Sequence, residues 1–196
     1  RNSLLSVQAI ESIRNFGLIG VYVLEPAEPL PPMTQEDLEF ERFQIKAVSA
    51  IEEELDRILK TRKQSRIQTI ADMVIRNYGH LDEKINFYQN LRSLEDYVSR
   101  HSLNVAILCA MITHVMNIRR EEQYHTVCAA LLHDMGKLKK HEDVYFGAPY
   151  SREDAIRNCE TQEEAYSVIE EAFATEGPAI RRICQQAAGK QLDLFP

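Results

Sequence analysis

Residues that break secondary structure are scarce in this 196-residue chain, and the prolines among them are crowded together. There are seven glycines and seven prolines, and four of the prolines (Pro26, Pro29, Pro31 and Pro32) fall in one short stretch. Proline has no backbone N–H and disfavours helix at its own position and at the one before it. The cluster therefore predicts an extended, exposed connector over 26–33. The rarity of such breakers beyond it predicts long helices. The chain divides on this basis into 1–25, the connector 26–33, and a helical domain over 34–196.

Ahead of the connector, Leu4, Leu5, Ile10 and Ile13 recur at helical spacing, Gly17 suits a helix C-cap, and Ile19–Leu24 is β-prone. One helix and one strand cannot enclose a core, so 1–25 reads as a small helix–strand remnant of a larger α/β module. The chain starts at Arg1 rather than Met, which points to sequence upstream.

Beyond the connector, Thr34 with Asp37 suggests a capping box. It opens a helix to about Arg62, whose apolar positions Val48, Ile51, Leu55, Ile58 and Leu59 read as a core stripe, with a homodimer seam through 34–62 as the alternative. Further helices are expected from Ile67 to near Gly79, over 81–91, over 97–116 behind a Ser93/Asp96 cap, and over 121–134. Ser151 with Asp154, and Thr161 with Glu164, read as two more helix starts, and Gly177-Pro178 as the break before the last helix.

The net charge of −7 argues against a DNA-binding surface, and no apolar run approaches the roughly 18 residues of a membrane span. No signal peptide appears. Cys109, Cys128, Cys159 and Cys184 are far apart, with no CxxC, and read as reduced thiols of a cytoplasmic protein.

The chemistry concentrates in two stretches, Arg100-His101-Ser102-Leu103-Asn104 and Leu131-Leu132-His133-Asp134-Met135-Gly136-Lys137. An adjacent His-Asp pair closing a strongly apolar helix is unusual, because both groups need partners when buried. At a helix end the two can point into one cavity. A third donor, the nitrogen of His101 on the neighbouring helix, would complete one face of a metal site, and imidazole with carboxylate suits Fe, Mn, Zn or Co. His80, His114 and His125 read as ordinary histidines, and His141 as the best substitute ligand among the rest.

Over roughly Ile45–Lys140, His101 followed by His133-Asp134 and Gly136-Lys137 resembles the HD superfamily of metal-dependent phosphohydrolases. The wording is most similar to its HD-GYP branch, bacterial cyclic-di-GMP phosphodiesterases that act in signalling. The resemblance implies a mainly α, HD-domain helical bundle. It implies His101, His133 and Asp134 as ligands of a divalent metal (Fe, Mn, Zn or Mg), with Asp134 bridging if two ions bind. It gives Asp134 and Lys137 catalytic roles, with Lys137 on a substrate phosphate, and makes a nucleotide or cyclic dinucleotide the partner.

The chain also departs from that pattern. No histidine follows His141, and the place of a further ligand reads Asn158-Cys159-Glu160-Thr161-Gln162-Glu163. Gln185-Gln186 stands where the branch has a His-His pair, the Gly-Tyr-Pro loop is missing, and Asp193 is a poor match for the closing aspartate. With three protein ligands the metal is expected to be weakly held or absent. The alternative function is a degenerate, non-catalytic HD module that binds a nucleotide or protein partner. As a test of the domain division, limited proteolysis is expected to cut within Pro26–Pro32 and leave the following helical domain whole. A protease-resistant 26–33 would make the two parts one unit.

Overall fold

A computed structural model describes residues 7–15, 34–81, 97–139 and 151–192. The expected connector, the strand over 19–24, the helix over 81–91, the Ser93/Asp96 cap and His141 lie outside these residues. Eight α-helices are found among the described residues and no strand. They are α1 (Val7–Asn15), α2 (Gln35–Thr61), α3 (Ile67–Tyr78), α4 (Tyr97–Val115), α5 (Arg120–Leu132), α6 (Arg152–Tyr166), α7 (Ile169–Phe173) and α8 (Gly177–Leu192). Short 3₁₀ turns follow α5 (Met135–Lys139) and α7 (Ala174–Glu176).

The central pair is α4 and α5. Helices α2 and α3 cover one side of it, and α8, flanked by α6 and α7, covers the other. The stripe on α2 is core: Val48, Ile51, Leu55 and Ile58 are buried with Ile67, Ile70 and Val74 of α3. Leu103, Ala106, Ile107 and Ala110 of α4 meet Val127, Cys128, Leu131 and Leu132 of α5 in the same core. All four cysteines are free. Cys128 and Cys184 are buried, and burial pushes the Cys128 thiol up to about 12. Both are therefore packed as small apolar groups, not exposed as reactive thiols. None of the described helices is long and apolar enough to cross a membrane.

Helix boundaries follow local chemistry, with one correction. Ser151 and Asp154 form a full capping box at the start of α6: Asp154 N–H donates to Ser151 Oγ at 3.1 Å, and Ser151 N–H to Asp154 Oδ2 at 3.1 Å. The second expected start, Thr161 with Glu164, is not one. Helix α6 runs through it to Tyr166, and Thr161 Oγ1 donates back to Arg157 O at 2.8 Å. Threonine can meet its hydroxyl's needs inside a helix in this way, so a Thr-x-x-Glu spacing does not by itself mark an N-terminus. The Gly177-Pro178 break stands as the start of α8. A Cβ on Gly177 would lie 2.6 Å from Glu170 Cα, so glycine permits the close return of α8 past α7.

Helix α3 has no capping side chain of its own at Arg66. The buried Glu54 of α2 serves instead. Its Oε1 accepts the backbone N–H of Ser65 and that of Arg66 (2.8 Å), and Arg57 Nε lies 3.3 Å from Oε2. A carboxylate here meets two free N–H groups and the positive end of the α3 dipole. Glu54→Ala is expected to lower stability by about 0.5–2 kcal/mol, the range of a lost N-cap. Glu54→Gln, which keeps an acceptor, should lose less. Urea unfolding with unchanged denaturant slope measures both.

Candidate metal centre

Asn117 ends α4 in the left-handed region, at φ 53°. Ile118 N–H bonds to Thr113 O at 3.0 Å and Asn117 N–H to His114 O at 2.9 Å. This is a Schellman closure with asparagine where glycine is commoner. The chain reverses there, and Gln123 Nε2 of α5 donates to Ala110 O of α4 at 3.0 Å, which fixes the register of the returning helix. His101 and His133 lie equally far along the chain from Asn117. Equal rise per residue on the two antiparallel helices therefore brings them to one level.

Helix α5 stops at Leu132. His133 keeps helical backbone angles (φ −58°, ψ −27°), and the chain then tightens into the 3₁₀ turn, with Lys137 N–H on Asp134 O at 3.0 Å. The His-Asp pair thus lies just past the helix rather than within its last turn. In a 3₁₀ turn residues three apart eclipse each other. Asp134 and Lys137 have that spacing, and Lys137 Nζ donates to Asp134 Oδ2 at 2.7 Å.

The structure brings His101, His133 and Asp134 together. His101 Nε2 is 3.3 Å from His133 Nε2 and 3.7 Å from Asp134 Oδ2, and His133 Nε2 is 3.6 Å from the same oxygen. Such separations are those of ligands that each lie about 2.0–2.2 Å from one ion. His133 Nδ1 sits 2.8 Å from Ala130 O, which can only accept, so in the neutral ring Nδ1 carries the proton and Nε2 presents its lone pair to the cluster. The Tyr97 ring stacks on His101, with centroids 5.7 Å apart and planes within 3°. Two oriented imidazoles and a carboxylate fit a divalent transition metal. The His101 side chain is 38% exposed and that of Asp134 3%, so the cluster opens to solvent on the His101 side.

Asp134 is ionised despite its burial. Desolvation pushes its pKa up, but the charges of His133 and Lys137, the hydrogen bond from Lys137 and the charge of His101 outweigh it and hold the carboxyl below its ordinary value. The ammonium of Lys137, expected to meet a substrate phosphate, is here the partner of Asp134.

Two residues that the sequence analysis gave no role complete the surroundings, both from α6. Gln162 Oε1 accepts Gly136 N–H at 2.8 Å, and Gln162 Nε2 lies 3.4 Å from Asp134 Oδ1. One helical turn on, Tyr166 Oη donates to His133 O at 2.5 Å, and burial pushes the phenol's pKa up and keeps it a donor. The signal for Gln162 was its place in the stretch where the resemblance calls for a further ligand. Tyr166 was an aromatic residue in an otherwise polar run.

Gln185 and Gln186, aligned by sequence with a ligand pair, have other partners. Gln185 donates to Glu163 Oε1 at 2.7 Å, on the exposed side of α6. Gln186 lines an open groove of about 430 Å³ with Arg119, His125 and Arg182. Arg119 and His125 belong to the start of α5, and His133 follows its far end. A helix rises about 1.5 Å per residue, so the α5 side of this groove is well separated from the cluster.

Residues 98–190 match the family model of the HD domain. Over these residues the chain is similar to the HD domain, whose helical fold agrees with the all-helical described residues, and the matched region holds His101, His133, Asp134, Lys137 and the whole of α6. No curated protein and no solved structure matches the chain.

The 3₁₀ turn and α6 leave no room for a side chain on Gly136, whose Cβ would be 2.6 Å from Gln162 Oε1 and 2.9 Å from Thr161 O. Gly136→Ala is therefore expected to cost about 1–3 kcal/mol, as overpacking does, and to weaken metal uptake with it. Thermal unfolding and Mn²⁺ titration of the same preparation would show both effects.

Proposed function

We propose that this HD domain is a metal-dependent phosphohydrolase acting on a phosphoester of a nucleotide, with cyclic di-GMP the first substrate to test. The observation that supports the reading most directly is the convergence of His101 Nε2, His133 Nε2 and Asp134 Oδ2 within 4.8 Å of one another, on the side of the fold that opens through His101. A divalent ion held by these three would act as a Lewis acid on a phosphoryl oxygen and lower the pKa of a water. His133 is held in the ligating tautomer by its hydrogen bond to Ala130 O. Lys137 places a positive charge at the edge of the cluster, where it can turn from Asp134 to charge developing on phosphate.

A second reading has its own observation. The described cluster offers three protein donors, and Lys137 already neutralises the carboxylate. That arrangement also suits a non-catalytic HD module that binds a nucleotide through Lys137 and neighbouring groups.

Turnover of cyclic di-GMP, the linear dinucleotide and nucleoside phosphates, with Mn²⁺ or Fe²⁺ added, separates the two. The enzyme reading expects hydrolysis by the wild type, its abolition by Asp134→Ala, and a loss of about 10²-fold with Lys137→Ala, as for removal of one oxyanion donor. A wild type that hydrolyses none of them with any divalent metal, yet binds one of the nucleotides, leaves the module.

A further inference from the structure

The amide of Gln162 can be oriented without ambiguity. Gly136 N–H can only donate, so the atom 2.8 Å from it is the amide oxygen. The –NH₂ group must then face Asp134, and it lies 3.4 Å from Oδ1. Gln162 is 1% exposed and Asp134 2%, so no bulk solvent competes for this contact. The two oxygens of Asp134 consequently have different neighbours. Oδ2 faces His101, His133 and Lys137. Oδ1 faces a buried amide donor whose own oxygen is anchored to the backbone of the same turn.

We infer that Gln162 is a positioning residue that caps Asp134 Oδ1, so that the carboxylate presents Oδ2 to a cation and does not span a pair of ions with its two oxygens. This rests on the reading of the cluster as a metal centre and deepens it. An N–H donor and a cation cannot both approach Oδ1 from the side Gln162 occupies. Rotation of the carboxylate to share both oxygens would break the contact with Gln162 and displace the bond from Lys137. The capped oxygen also fixes the plane of the carboxylate, and outer partners of this kind commonly set metal affinity as strongly as a weak ligand does.

The test uses the whole chain, Mn²⁺ as probe, and two readouts other than activity: the dissociation constant and the electron paramagnetic resonance spectrum at saturation. The wild type is expected to show the resolved hyperfine pattern of isolated Mn²⁺. Gln162→Met keeps the length and removes both hydrogen bonds, and it is expected to weaken Mn²⁺ binding by about 10–100-fold, the usual effect of losing an outer partner. Gln162→Glu keeps an acceptor for Gly136 but sets a second carboxylate against Oδ1, and its spectrum is expected to gain the broad signal of a coupled pair. Ile180→Val, a core truncation on α8, controls for stability. It should lower the melting temperature and leave the Mn²⁺ dissociation constant unchanged. A coupled pair in the wild type overturns the inference and leaves the metal reading standing. Mn²⁺ binding by both Gln162 variants that matches the wild type overturns it in the same way. A wild type that takes up no Mn²⁺ removes the metal reading, and the inference falls with it.

Discussion

The backbone of Gly136 approaches α6 so closely that Gln162 Oε1 and the Thr161 carbonyl fill the space a side chain would need. The rest of the centre depends on that approach. It seats the 3₁₀ turn against α6, and the turn eclipses Asp134 with Lys137. Neighbouring residues on a regular helix point about 100° apart, so His133 and Asp134 could not meet at one point in mid-helix without distortion. The helix ends at Leu132, so the pair lies outside its regular register, and Tyr166 Oη on His133 O holds the first residue past the helix in place. Helix α6 thus acts as a brace that supplies one hydrogen bond to each end of the His-Asp pair and accepts one from the glycine beyond it.

The bundle was legible in the sequence because its signals are local. The stripe on α2, the Ser151/Asp154 box and the Gly177-Pro178 break each depend on a few neighbouring residues, and each stands in the structure. The His101 to His133 pairing was legible for a related reason: a short reversal between two helices puts equidistant residues side by side. What could not be read were contacts between distant segments. Gln162 lies 28 residues from Asp134 and Tyr166 lies 33 from His133, and no periodicity links them. Thr161 misled because a threonine hydroxyl bonded to the carbonyl four residues back and one capping a helix have the same spacing to a following Glu. Gln185 and Gln186 were read as a departure from the ligand pattern, and their partners are Glu163 and the groove beside His125.

Glu54 and Asp134 show one device used for two purposes. Each is a carboxylate removed from water, a state that costs several kcal/mol unless hydrogen bonds and opposite charge compensate it. Glu54 meets two backbone N–H groups at the start of α3 and the Arg57 guanidinium, and its oxygens are committed to structure. Asp134 has one oxygen committed, to Gln162, while the other faces two imidazoles and an ammonium. Glu54 thus commits both oxygens to structure, whereas Asp134 leaves one oxygen among cationic and ligating groups.

On the proposed function, Lys137 would link metal and phosphate. Its ammonium and a metal ion would draw on the same oxygen of Asp134 and repel each other as like charges. Two unit charges 4 Å apart interact by about 4 kcal/mol at an effective dielectric of 20 and a divalent ion doubles that, so such an ion in the cluster with Lys137 still on Oδ2 would be repelled by about 8 kcal/mol. Lys137 is three-quarters buried but sits at the margin of the cluster, and its flexible stem lets the ammonium swing outward. A phosphate arriving at the His101 side would give that ammonium a new partner, removing the repulsion at the point where the metal would bind. On the proposed reading the two would bind with positive coupling, and by linkage each would strengthen the other by the same factor. Weak retention of metal by the free protein would then follow from the same electrostatics that favour it once an anionic substrate is in place.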